Sequence, residues 1–145
     1  MLIRCHRQEL AAALASAGMP DAGLVFVASD QPGGWAGVGE ELAEAFRLTK
    51  EAAALPAPVV YVVSNDDLLG RRGPEQAMVA CGLLSAARTA ALELAKARVP
   101  VNTLAIESGT DPTVLAGWTR ALLEPDAPTG ELVRLGTGHL GKALP

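Results

Sequence analysis

The sequence predicts an α/β protein of three layers, with a parallel sheet of about five strands between helices. Three observations carry this. The run Val59-Val60-Tyr61-Val62-Val63 is short, rich in β-branched residues and free of charge, as a strand buried on both faces of a parallel sheet should be. The segment from Glu75 to Arg98 is too long for a strand and is built from the strong helix formers Ala, Leu, Glu, Lys and Arg. A second strand-like run then closes a strand–helix–strand unit, and such units are right-handed.

Taken in order, Met1 to Cys5 reads as a short strand and His6 to Gly18 as a helix, with Leu10, Ala13, Leu14 and Ala17 on one face and Gly18 as its stop. Met19-Pro20-Asp21 is a turn, Leu24 to Ala28 a second buried strand, and Ser29 to Gly39 a glycine-rich loop that contains Trp35. A helix is expected over Glu40 to Leu55, with Leu42, Ala45, Phe46, Thr49 and Ala53 on one side. The strand Val59 to Val63 ends in Ser64-Asn65. Pro74 suits the first turn of the long helix, and Val99-Pro100 ends it. Asn102 to Ile106 is the fourth strand. Thr110 or Asp111 caps a helix over Thr113 to Glu124, and Glu131 to Leu135 is the fifth strand.

A chain of 145 residues is one domain by size, residues 1–145, and large enough for a real core. Half of it is hydrophobic, but the aromatic share is only 3%, so the core must be built from Ala, Leu and Val. No charge-free span is long enough to cross a bilayer and no signal-peptide pattern opens the chain, so a soluble cytoplasmic protein is expected, without membrane contact. A net charge of -4 argues against nucleic acid, which needs a clustered basic face. Cys5 and Cys81 have no paired spacing, which points to reduced thiols and to no metal motif.

Candidate chemistry is sparse. Gly136-Thr137-Gly138-His139-Leu140-Gly141 has the spacing of a dinucleotide loop and follows a strand, but the sequence ends at Pro145, too soon for the helix such a loop requires, so a flexible tail or partner contact is expected. Gly33-Gly34 through Gly39 is followed at once by Glu40 and Glu41, which would repel phosphate. His6 and His139 read as surface residues, and Cys81 as a packed thiol. Ser29, Ser64, Asn65, Glu107 and Ser108 lie at or near carboxyl ends of strands, where open α/β sheets put their ligands. They form a possible cleft. Equally, Ser64-Asn65 can close a turn and Glu107 can be a solvated loop acid.

Two phrases carry a family resemblance: Ala-Arg-Thr-Ala-Ala-Leu-Glu-Leu-Ala-Lys (Ala87 to Lys96) and Val-Asn-Thr-Leu-Ala (Val101 to Ala105). With the Val-Val-Ser-Asn strand end before them, they resemble the helix and following strand of short-chain dehydrogenase/reductases. Phe46-Arg47-Leu48-Thr49 and the closing Thr129-Gly130-Glu131 to Leu135 are similar to further phrases of that family. The resemblance implies a Rossmann-like sheet, truncated here to about five of the family's seven strands, without the half that holds the dinucleotide. It also places Asn65 at the family's catalytic serine, Met78 at its tyrosine, Gly82 at its lysine, Glu41 at its asparagine, and Ile106-Glu107 at its Pro-Gly. Hydride transfer needs a proton donor, a neighbouring cation and a bound nicotinamide. Met78 cannot donate and Gly82 carries no charge, so no catalytic residue, no NAD(P) and no other cofactor is expected.

In that family the two helices that correspond to 40–55 and 75–98 pack against a second subunit. On the longer helix Ala77, Ala80, Leu84, Ala87, Ala91 and Leu94 recur at three- and four-residue steps, so the helix is apolar nearly all round; together with Phe46 they are the expected dimer interface. The expectation is a degenerate protein that works by association, as a homodimer or beside a full-length reductase of the same family. The alternative is a small enzyme that uses the cleft around Ser64, Asn65, Met78 and Glu107 for an isomerisation or cyclisation.

Overall fold

A computed structural model describes residues 1–136. The order is β1 (Leu2–Arg4), α1 (Gln8–Ser16), β2 (Leu24–Val27), α2 (Gly34–Ala54), β3 (Val59–Ser64), α3 (Asn65–Leu68), α4 (Pro74–Leu94), β4 (Val101–Ile106), α5 (Pro112–Leu122) and β5 (Leu132–Leu135). All neighbouring strands pair in parallel, in the order β1-β2-β3-β4-β5, with Phe26 beside Tyr61 and Tyr61 beside Thr103. The expected α/β layers and five-stranded parallel sheet are therefore present among the described residues.

Side chains alternate along each strand, so the sheet buries two separate cores. On one face Phe26, Tyr61, Val63 and Ala105 pack under α2 and α4. On the other Val25, Val27, Val62 and Leu104 pack under α1 and α5. The strands run in sequence order across the sheet, yet the helices cover both faces. Successive crossovers in one direction keep one hand only if all helices lie on one face. Two of the four crossovers are therefore left-handed, although right-handed ones are the strong rule. The consequence is local: the chain leaves β1 and β2 toward opposite faces, and does so again at β3 and β4, which opens the carboxyl ends of the sheet at two places.

Helix boundaries depart from the sequence reading in one place that matters. The segment expected as a loop up to Gly39 is helical from Gly34, because Gly33 and Gly34 take left-handed backbone angles and a Cβ at Gly37 would overlap the Pro32 carbonyl. Glu40 and Glu41 thus lie in the second turn of α2, not its first. The long helix ends at Leu94, four residues early, and continues as a 3-10 turn over Ala95–Ala97 closed by Arg98 at φ 54°. With that turn, Pro74–Ala97 is long and apolar enough to span a membrane, at mean hydropathy 1.4, but Val79, Ala80, Leu83, Leu84, Ala87, Ala90 and Ala91 bury one side of it in this core.

Asn102, fully buried in β4, donates from Nδ2 to the Pro128 carbonyl at 2.6 Å and accepts the Glu131 N–H at 3.2 Å. A polar residue inside a central strand is tolerated because both its groups are satisfied, and here they fix the loop into β5.

Candidate functional site

Where the strands open, a polar cleft of about 370 Å³ lies at their carboxyl ends. Arg7 reaches it from beyond β1, Asp30 from beyond β2, Ser64, Asp66 and Arg72 from the β3 end, and Glu107 to Thr110 from the β4–α5 loop. This is the place where open α/β sheets hold ligands, next to strands whose connections diverge.

The cleft is organised by ion pairs. Asp30 Oδ1 accepts from Arg7 Nη2 at 2.7 Å and from Arg72 Nη1 at 3.2 Å. Arg72 is held from below by Asp67, a carboxylate only 2% exposed, which accepts from Nε at 2.6 Å and also from Nη2. That pair of hydrogen bonds to Asp67 pushes the Arg72 guanidinium pKa further up, so it stays charged at any working pH. Arg71 pairs with Asp66 at 3.1 Å. Ser64 caps α3 by accepting the Asp66 N–H at 3.2 Å. Asp111 caps α5 by accepting the N–H groups of Thr113 and Val114, and those bonds lower its own pKa.

The expected cleft residues divide. Ser64, Glu107 and Ser108 line the cavity. Asn65 is buried at 3% exposure, its Nδ2 pointing to the Leu135 carbonyl at 3.5 Å, and Ser29 is tied elsewhere, its N–H donating to Glu41 and its hydroxyl accepting from Arg4. Sequence reasoning missed Arg7, Asp30, Asp66 and Arg72. For Arg7, Asp30 and Asp66 the signal was position, a few residues past the carboxyl end of a strand; Arg72 lies beyond α3 and carried none.

None of the four degenerate positions lines the cleft. Glu41, 4% exposed, accepts from the Ser29 N–H at 2.7 Å and from Arg4 Nη1 at 3.2 Å, while Arg4 also reaches Glu44 and covers the Phe26 ring. It is a structural anchor. Met78 points outward from α4, half exposed. Gly82 is where α4 crosses α2: a Cβ there would come within 2.9 Å of Leu42.

Beyond that pinch an apolar groove of about 160 Å³ lies between the two helices, with Phe46, Thr49 and Lys50 on one wall and Ala86, Thr89 and Glu93 on the other. Tyr61 floors it, its hydroxyl bonded to Thr49, and burial pushes the phenol pKa up. Of the residues expected at an interface on α4, Ala80, Leu84, Ala87 and Ala91 are buried within the protomer, Ala77 and Leu94 only half-buried, and the outward stripe Met78, Cys81, Ser85, Arg88, Leu92 is mixed rather than apolar. Cys81 is exposed, not packed. Phe46, at 67% exposure, does face outward, and Trp35, also exposed, lies three turns away on the same stripe of α2. His139 and the glycine cluster that starts at Gly136 lie, apart from Gly136 itself, outside the described residues.

No family model matches the chain, and no curated protein matches it. Solved structures do. One is a crystal structure of a protein assigned to the short-chain dehydrogenase/reductases from Burkholderia xenovorans, at a TM-score of 0.65 and 19% identity over 88% of this chain. This chain spans 66% of the length of that one. At such identity the shared property is the fold, a Rossmann-like parallel α/β sheet of the kind that family uses.

Proposed function

We propose that this protein is a truncated, catalytically degenerate relative of the short-chain dehydrogenase/reductases that works mainly through association, as a homodimer or as the non-catalytic partner of a full-length reductase, in the cytoplasm. The observation that carries the reading is Phe46. The whole chain has five aromatic residues, and two of them, Trp35 and Phe46, stand exposed on one stripe of α2, with Phe46 on the wall of the apolar groove. Exposed aromatics next to a matching hollow are what an interface core requires. Lys50 and Glu93 on opposite rims give a second copy complementary charges to meet.

Degeneracy is supported by chemistry. The β1–α1 turn is Cys5-His6-Arg7, with no glycine for a pyrophosphate to approach, and Arg7 turns its side chain to Asp30. Met78 and Gly82 hold neither proton nor charge. Native mass measurement of the protein, alone and mixed with full-length reductases, tests this: a dimer or a stoichiometric mixed complex is expected, and a monomer in every mixture would refute it.

A second reading, a small enzyme without nicotinamide, is favoured by the polar cleft, where Ser64, Asp66 and Glu107 converge. It predicts that Glu107→Ala abolishes a ligand-induced thermal shift.

A further inference from the structure

The hydroxyls that line the groove between α2 and α4 are those of Thr49, Tyr61 and Thr89, and none has a proton to give. Thr49 Oγ1 donates to the Ala45 carbonyl one turn back, at 2.7 Å, so the bond that joins it to the Tyr61 hydroxyl uses the phenol's proton. Thr89, on the opposite wall, spends its proton on the Ser85 carbonyl at 3.1 Å. Tyr61, 1% exposed, therefore floors the groove with a phenol oxygen that accepts from no group among the described residues. Lys50 does not supply that donor, because its ammonium lies over the Phe46 ring, 5.7 Å from the centroid.

A site with acceptors and no donor is selective. A carboxylate, phosphate or carbonyl would set lone pairs against lone pairs where water is displaced. A plain hydrocarbon would fill the space but leave the phenol oxygen unpaired. A ring with an N–H on its edge and no acceptor meets both demands, and the indole N–H is such a donor. The volume fits as well: it is about 160 Å³, against roughly 150 Å³ for a cavity that takes one benzene.

We propose that this groove binds an uncharged aromatic small molecule of the indole class, its N–H donating to Tyr61 Oη and its ring lying between Phe46 and Ala86. A tryptophan of a partner chain carries the same N–H, but the ring alone fills the volume, which makes the free molecule the closer fit. The proposal needs the groove and not the association reading.

The test is a titration of dilute, isotopically labelled protein with three probes, following the amide signals of Thr49, Tyr61 and Ala86. The probes are indole, benzofuran, which has the same shape with an ether oxygen in place of the N–H, and N-acetyltryptophanamide. Saturable shifts are expected with indole, and binding about fivefold or more weaker with the other two. Tyr61→Phe, which keeps the ring and removes the acceptor, should weaken indole about fivefold and leave benzofuran as it is. Ala86→Leu, which fills the groove from its wall, should weaken both. Equal affinity for indole and benzofuran, or an indole affinity untouched by Tyr61→Phe, would overturn the ligand class. Tighter binding of the tryptophan derivative would overturn the free molecule in favour of a partner's side chain, and no saturable shift would overturn the site itself. Sedimentation of the same samples separates the two readings: indole shifts in a monomeric protein support this proposal and refute association, whereas a dimer without shifts does the reverse.

Discussion

The groove between α2 and α4 and the cleft at the carboxyl ends of the strands are both hollows in the same small sheet, and they arise in different ways. The groove is a packing product. Gly82 lets α4 approach α2 at Leu42, and beyond that approach a mostly apolar lining from the two helices surrounds a hollow over one phenol. The cleft is a product of topology. Connections leave neighbouring strands toward opposite faces, and the loops that result carry arginines and carboxylates which settle each other's charge. Neither hollow is lined by Met78, Asn65 or Glu41. One hollow is apolar and walled by two helices, the other polar and walled by loops.

The largest way to break this contrast is at Glu41, which ties the β2 end to α2. Glu41→Ala strands Arg4, 11% exposed, with Glu44 as its remaining carboxylate, and should lower unfolding free energy by about 3 kcal/mol in a urea titration. Glu41→Gln, which keeps an acceptor for the Ser29 N–H, should lose less. A loss below about 1 kcal/mol in the alanine variant would make this an ordinary surface pair.

Next comes the pinch itself. Gly82→Val pushes a branched side chain into Leu42 and should cost about 1–3 kcal/mol while leaving ligand-induced shifts in the cleft as they are. A variant as stable as the parent would mean that the helices are free to separate at Gly82.

Tyr61→Phe is smaller, about 1 kcal/mol for the lost bond to Thr49. Its pH dependence is the sharper reading. Burial raises the folded phenol pKa, so the unfolded chain releases this proton first as pH rises; the stability tied to the phenol is complete below the unfolded tyrosine pKa and is lost on the alkaline side. The parent should therefore lose stability at high pH more steeply than Tyr61→Phe. Because Tyr61 is the chain's single tyrosine, tyrosinate absorbance follows it without overlap from another. Parallel pH profiles for the two proteins would place the phenol in water.

The smallest effect is at the cleft rim. The Thr113 and Val114 amides hold the Asp111 carboxyl below its ordinary pKa, so its contribution is present at neutral pH and fades as acid protonates it in the fold. Asp111→Asn, still a good cap, should flatten the acid limb of the stability profile slightly. An unchanged acid limb would mean that the carboxylate bonds are not made.

The sheet was legible because buried parallel strands announce themselves: Val59–Val63 is a continuous apolar run, Val101–Ile106 is a charge-free run with only Asn102 and Thr103 polar, and the helix between them is rich in strong formers. The start of α2 was not, since glycines at 33, 34, 37 and 39 read as a loop until the Pro32 carbonyl is seen filling the place of the missing side chain at Gly37. On α4 the alanines recur at so many steps that they do not mark which side is buried, whereas the outward stripe Met78, Cys81, Ser85, Arg88 and Leu92 carries none. Ser64, Glu107 and Ser108 were found by their place after strands, whereas Arg7, Asp30 and Arg72 come together only through strand order and divergent loops, which no local pattern encodes.

The central claim, association through the α2–α4 face, is tested most directly by sedimentation equilibrium of the parent and Phe46→Glu side by side at micromolar concentration. The account predicts a parent that self-associates and a monomeric variant of equal thermal stability, because Phe46 is exposed and its replacement costs the protomer nothing buried. A parent that is monomeric alone and with full-length reductases, or a variant that associates as the parent does, would contradict it.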